Sequence, residues 1–169
     1  MTPSPKRPVP TDTRLSHVDA DGSARMVDVS EKPESRRMAQ ARGSIRMSTV
    51  ALEAIRCHRI AKGDVVSVAR VAGIMAAKRT AELVPLCHPL GLDDVQIELT
   101  EDEALPGLVA EATVRTTART GVEMEAIVAV SITLVTVYDM AKSIDKKMVI
   151  GDISLIRKEG GKSGSFSAT

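Results

Sequence analysis

The chain has 169 residues, a formal net charge of +1, 43% hydrophobic and 27% charged residues. Such a chain makes one ordinary globular domain that buries about two thirds of its unfolded surface, and its charge balance excludes a long-range field that would draw in nucleic acid or membrane. Aromatic residues are 1%, Tyr138 and Phe166 alone; the stacking platforms of single-stranded nucleic-acid binders are therefore missing, and a bound purine must be held by hydrogen bonds and aliphatic contacts.

The segment from Met1 to Asp21 is rich in Pro, Ser and charge and has no apolar run of the signal-peptide kind. It reads as a flexible tail over 1–21, followed by a single domain over 22–159 and a mobile Gly-rich tail over 160–169. The two cysteines, Cys57 and Cys87, fit a reducing compartment better than a disulfide scaffold, so a cytoplasmic location is expected.

A short strand is expected at Ser44–Met47, and Ser48 is a good N-cap for a helix running to about Cys57, with Leu52, Ile55 and Val50 inward. Gly63 breaks the chain and Asp64 can cap a second helix from Val65 to about Leu83. Val68, Val71, Ala72, Met75 and Ala76 give that helix an apolar stripe of 3.6-residue period. The Pro-bounded run Val84-Pro85-Leu86-Cys87-His88-Pro89 ends it in a stiff turn, because proline fixes its own φ and biases the preceding residue toward extended backbone. Asp94–Thr100 and Leu108–Arg119 alternate with period two and flank Pro106-Gly107, a predicted hairpin.

Gly121 to about Ile144 carries β-branched residues that favour strand locally, but its length without a breaker favours helix, and helix is the reading adopted. Apolar nearly all round, it should be covered on both sides, the second by a neighbouring subunit. Its apolar run from Ala126 to Met140 is shorter than a membrane span and is interrupted by Ser, Thr and Asp139, so no membrane association is expected. Met148–Lys158 reads as a last strand. The resulting order is an α+β, ferredoxin-like split βαβ, an antiparallel sheet with helices packed on one face.

Several groups of residues carry chemistry. Cys87 and His88 sit in the rigid Pro-bounded loop. Lys62 precedes Gly63-Asp64, where the commoner role is a helix-entry turn. Glu123 and Glu125 would favour the positive end of a helix dipole, or, close together, would hold the polar edge of a base and shift each other's pKa. Asp139 and Lys142 are helical neighbours three apart, and an Asp on an apolar helix is costly unless paired. Zinc is rejected for both Cys-His pairs, since neither has chelating spacing; a buried structural thiol is the expectation for Cys57. Gly161-Lys162-Ser163 lacks the upstream glycine of a phosphate-binding Walker loop, with Ile156 in its place, although Lys162 on a Gly-rich loop can still meet phosphate.

Met26-Val27-Asp28-Val29-Ser30, Lys62-Gly63-Asp64, Ala76-Ala77-Lys78-Arg79-Thr80, Leu86-Cys87-His88-Pro89-Leu90, Thr120-Gly121-Val122-Glu123-Met124-Glu125-Ala126, Tyr138-Asp139-Met140 and Gly160-Gly161-Lys162-Ser163-Gly164 follow in that order. With these motifs the chain resembles the cyclic pyranopterin monophosphate synthase family, also called molybdenum cofactor biosynthesis protein C, over about Met26 to Gly164. Met75 departs from the Gln of some relatives, at a position outside the matched site.

The resemblance implies a homohexamer built as a trimer of dimers, with sites at dimer interfaces. It also implies a lyase that converts a 3′,8-cyclised dihydro-GTP to cyclic pyranopterin monophosphate and releases pyrophosphate. By matched position it implies Lys62, Lys142 and Asp139 as catalytic, and Arg37, Cys87, His88, Glu123, Met124 and Glu125 as pocket residues, with Lys162 added from the Gly-rich motif. In this reading lysines lowered by neighbouring cations move protons, Asp139 orients Lys142, Arg37 and His88 hold the triphosphate, and the two glutamates read the guanine edge. No tightly bound cofactor and no protein metal site are expected; Mg²⁺ enters only as the companion of the triphosphate. The competing reading is a non-catalytic ferredoxin-like sensor of purine nucleotides.

Overall fold

The computed structural model describes residues 24–102, 104–162 and 164–168; the expected tail over 1–21 lies outside them. Strand β1 (Ser35–Arg46) is the centre of the fold. Its alternate residues Ala39, Ala41, Gly43 and Ile45 are buried, while Arg36, Gln40 and Arg42 stand on the opposite face. The strand begins at Ser35 and not at Ser44, as the sequence suggested. Its inward residues are too small to mark a hydrophobic face, and its outward ones include three arginines.

β1 pairs antiparallel with β3 (Gly107–Ala118) on one side and β4 (Val149–Glu159) on the other. The hairpin forms as expected, β2 (Asp94–Asp102) pairing with β3. The order β2-β3-β1-β4 with antiparallel neighbours is ferredoxin-like. A two-residue strand, β5 (Phe166–Ser167), extends the sheet beyond β4 within the segment read as a tail. The face away from the helices is polar, with Gln40 bonded to Glu111 and Arg115 to Asp94.

Helix α1 (Thr49–Arg56) starts at Ser48, whose hydroxyl accepts from the Ala51 amide, and buries Leu52 and Ile55. Val50, expected inward, is 68% exposed. Cys57, expected buried, is an exposed residue at the end of this helix; its thiol bonds to Glu53, which raises its pKa. Helix α2 (Val65–Ala77) is capped by Asp64, which accepts from the amide and hydroxyl of Ser67. The single helix expected from Val65 to Leu83 is two, α2 and the short α3 (Thr80–Leu83). The Thr80 hydroxyl donates to the carbonyls of Ala76 and Ala77, satisfying the end of α2.

The apolar stripe read for α2 is also corrected. Val68, Val71 and Met75 are exposed, and the inward face is Val65, Ala69, Gly73, Ala76 and Ala77. The reason is the close approach of α4 (Glu123–Ala141): a Cβ on Gly73 would lie 2.1 Å from the Thr133 hydroxyl and 2.4 Å from Ile97. Only small residues allow two helices to come so near. The segment with strand-like propensity is a helix that buries Ala126, Ala129, Val130, Leu134 and Val137 in the core, with Val130 and Leu134 against Gly43 of β1. It is long and apolar enough to cross a membrane, yet half of it is buried in this core. Val135 stays half exposed on its far side.

Candidate functional site

At the C-terminal end of α4 the three residues expected to be catalytic meet. Gly63, at φ +99°, turns the chain so that Lys62 reaches across to α4. The Lys62 ammonium donates to Asp139 Oδ2 at 2.6 Å and to the Asp139 carbonyl at 3.0 Å. Lys142 donates to Asp139 Oδ1, also at 2.6 Å. One carboxylate thus bridges two ammonium groups at the mouth of a cavity also lined by Tyr138, Ser143 and Lys146.

The hydrogen bonds from Lys142 and Lys62 hold Asp139 down to a pKa of about 2. The reciprocal effect raises Lys142. For Lys142 this reverses the expectation of a lysine lowered by neighbouring cations, because the hydrogen bond and charge of Asp139 favour its protonated form. Nor is Asp139 buried: its side chain is about half exposed, and it is paired on both oxygens.

A second group gathers at the other end of α4. Cys87, His88, Met124, Glu125 and Glu123 line one cavity of about 620 Å³. The His88 Nε2 lies 2.8 Å from the Val27 carbonyl. A carbonyl only accepts, so Nε2 carries a proton and, in the neutral ring, Nδ1 is left as an acceptor. Glu125 is 4% exposed, and burial pushes its carboxyl pKa up, with the Glu123 charge adding to the effect. Burial, then the Glu125 charge, also raises the Cys87 thiol, which argues against a nucleophilic thiolate there.

Glu123 belongs to a further cavity of about 700 Å³ that contains Arg37, Arg119, Lys158 and Lys162. Arg37 donates from Nε to the Ala118 carbonyl at 3.2 Å and from Nη2 to the Arg119 carbonyl at 3.1 Å, which fixes its guanidinium. Gly161, at φ +78°, packs against it so closely that a Cβ would sit 2.0 Å from Nη1. Lys158 bonds to Glu123 Oε1 at 3.0 Å. A cleft that gathers Arg37, Arg119, Lys158 and Lys162 beside the glycine backbone of Gly160-Gly161 suits a polyphosphate.

Lys158, Lys32 and Arg119 were not anticipated from the sequence as site residues. Lys158 faces α4 because of a bulge. Gln40 pairs with Arg157 but Ala41 pairs with Leu155, so Ile156 is unmatched and the alternation reverses after it. Arg119 donates to the Ser30 carbonyl, holding the segment that contains Val27 and Lys32 across the wall shared by the two cavities. The adjacency of Lys158 to Gly160-Gly161 was the only signal of it in the sequence. Among the described residues no group of three or more His, Cys, Asp or Glu gathers in a way that could hold a metal ion.

Within one chain the two ends do not meet. Sixteen helical steps separate Glu123 from Asp139, about 24 Å at 1.5 Å per residue. The chain brings Lys62, Asp139 and Lys142 together at one end, and Arg37, Cys87, His88, Glu123, Met124, Glu125 and Lys162 at the other.

Residues 26–161 match the MoaC family model. The chain is 58% identical over 155 residues to a cyclic pyranopterin monophosphate synthase of Cereibacter sphaeroides, covering 92% of this chain and 98% of that protein. It is 55% identical over 154 residues to the protein of the same name from Dinoroseobacter shibae, covering 91% and 98%. The Brucella ovis protein of that name is 53% identical over 156 residues, covering 92% and 94%. Similarity of this extent makes this chain a member of the MoaC family.

Proposed function

We propose that the protein is a cyclic pyranopterin monophosphate synthase acting in molybdenum cofactor biosynthesis. As a phosphorus–oxygen lyase it would convert the 3′,8-cyclised dihydro-GTP to cyclic pyranopterin monophosphate and release pyrophosphate. The observation that carries this reading is the convergence of Lys62 and Lys142 on one Asp139 carboxylate in a chain more than half identical to proteins of that name.

The chemistry follows from the groups present. Rebuilding a purine into a pterin opens one ring and closes another, and each step moves protons. Lys62 and Lys142 are the amines for that work, and Asp139, ionised throughout the neutral range, orients both. The cationic cleft of Arg37, Lys158 and Lys162 receives the triphosphate and stabilises charge as pyrophosphate leaves. Mg²⁺ travels with the triphosphate in this reading, and no resident cofactor is required.

A complete site needs a second subunit. In a two-fold dimer with antiparallel α4 helices, the lysine end of one subunit faces the Glu123 end of its partner, and the symmetry produces two identical sites. The exposed apolar residues Val68, Val71, Met75 and Val135 support such burial. A hexamer built as a trimer of dimers, in the cytoplasm, completes the proposal.

The test is incubation of the purified protein with the cyclised triphosphate, measuring pyrophosphate and the cyclic product. Turnover that is lost in both Lys62→Ala and Lys142→Ala supports the reading. Binding without turnover by the unaltered protein would leave a nucleotide sensor instead.

A further inference from the structure

Glu123 and Gly121 both stand on the wall between the two cavities at the start of α4. A Cβ built on Gly121 would lie 1.9 Å from Glu123 Oε2, 2.7 Å from its carboxyl carbon and 2.9 Å from Oε1. The three nearest obstacles are thus one carboxylate, with no backbone and no core side chain among them. Gly121 is also not among the glycines with positive φ, so no left-handed backbone demands glycine there. The space that a side chain at this position would take is held by the Glu123 carboxylate.

We propose that Gly121 is a positioning residue for the reaction. Its missing side chain lets the Glu123 carboxylate fold back over the residue that precedes the N-cap of α4, and Lys158 meets it at 3.0 Å. Val122 supplies no side-chain cap to this helix, so nothing else of the N-cap kind competes for the space. A methyl group on residue 121 drives the carboxylate out of that space, since the far end of a flexible side chain yields before a backbone does. The result is a shift of an ångström or more in the charge that separates the cationic cleft from the His88 cavity. Gly161 stands in the same relation to Arg37, but its positive φ makes any substitution there strained as well. Gly121 is therefore the cleaner probe. The inference rests on the synthase reading, in which Glu123 lines the substrate pocket.

The experiment compares Gly121→Ala, Glu123→Gln, their double variant and Glu123→Asp in the full-length protein. Gly121→Ala is expected to melt near the unaltered protein and to lose about 10²-fold in kcat, the scale on which small misplacements act. The double variant should be no worse than Glu123→Gln, because both changes remove one function. Glu123→Asp, whose shorter side chain keeps the charge but withdraws it from that space with Gly121 and Lys158 intact, should reproduce the loss, and it decides the matter if Gly121→Ala does not fold. Crystal structures read the contact without turnover: in Gly121→Ala the Glu123–Lys158 pair should open beyond 4.0 Å.

Retention of that contact, full activity of Gly121→Ala, or losses that add in the double variant would each overturn the proposal. Absence of turnover in the unaltered protein would instead defeat the synthase reading, with the crystallographic contact still deciding whether Gly121 positions Glu123.

Discussion

Lys62 and Asp139, 77 positions apart in the chain, meet at 2.6 Å, and Lys142 takes the other oxygen of the same carboxylate. The site proposed here is organised by this one acid, which holds two amines side by side while exposed to solvent. Removing either amine leaves Asp139 with one partner and, in the proposed reaction, the substrate with one fewer proton carrier. Lys62→Ala and Lys142→Ala should each lower kcat by about 10²–10⁴-fold, the usual contribution of an acid–base group. Their melting temperatures should hardly move, since exposed ion pairs contribute little to stability. Steady-state kinetics beside thermal denaturation checks both halves.

The Asp139 pKa of about 2 has a signed consequence for stability. Its folded value lies below the ordinary 3.8, so the bridge stabilises the fold fully above about pH 4, and that part is lost as pH falls toward 2. Lys142 is raised, so its share is complete below its ordinary 10.5 and is lost only as pH rises beyond that. Asp139→Asn should flatten the acid limb between pH 4 and 2 and move the Lys142 titration back down. Melting curves across that range and NMR titration of the lysine amines read the two effects.

Glu125 has the opposite sign. Burial raises its pKa above 4.5, so the folded state prefers the neutral acid and stability falls as pH climbs from 4.5 through the folded value. Glu125→Gln keeps the shape and removes the charge. It should melt higher at pH 7, by about 2–4 °C for each kcal/mol recovered, and show no gain at pH 4. Equal gains at both values would mean that the carboxylate charge is not the cause.

Gly73 holds α2 and α4 at their close approach. Gly73→Ala places a methyl 2.1 Å from the Thr133 hydroxyl and 3.0 Å from the Ala129 carbonyl, with Ile97 on its other side. Overpacking of this kind costs about 1–3 kcal/mol. Chemical denaturation should show it as a lower midpoint with an unchanged slope.

The separation of the two half-sites along α4 predicts complementation. Lys142→Ala and His88→Ala subunits should each be inactive alone. Mixed at random, half of the dimers carry one of each, and one of the two sites in such a dimer is intact, so about a quarter of full activity should return. No recovery on mixing would mean that each chain builds its site unaided. Val71→Asp on the exposed face of α2 should reduce the assembly mass seen by light scattering.

Residue spacing alone was enough for much of this protein. Period-two alternation gave away the hairpin; the cap at Asp64 and its 3.6-residue pattern gave away the helix that follows. The three-residue interval made Asp139 and Lys142 neighbours, because each of these is a local geometric fact. Other features depend on what lies across a contact. The face that α2 buries was misread, since an approach close enough to demand Gly73 puts the bulky valines outside. Lys62 joins Asp139 only through the fold, across 77 positions. Lys158 reaches Glu123 only because an unmatched Ile156 reverses the alternation of β4. Local periodicity is written into a chain by residue type, whereas the side of an element that turns inward, and the charge it meets there, is set by the packing partner.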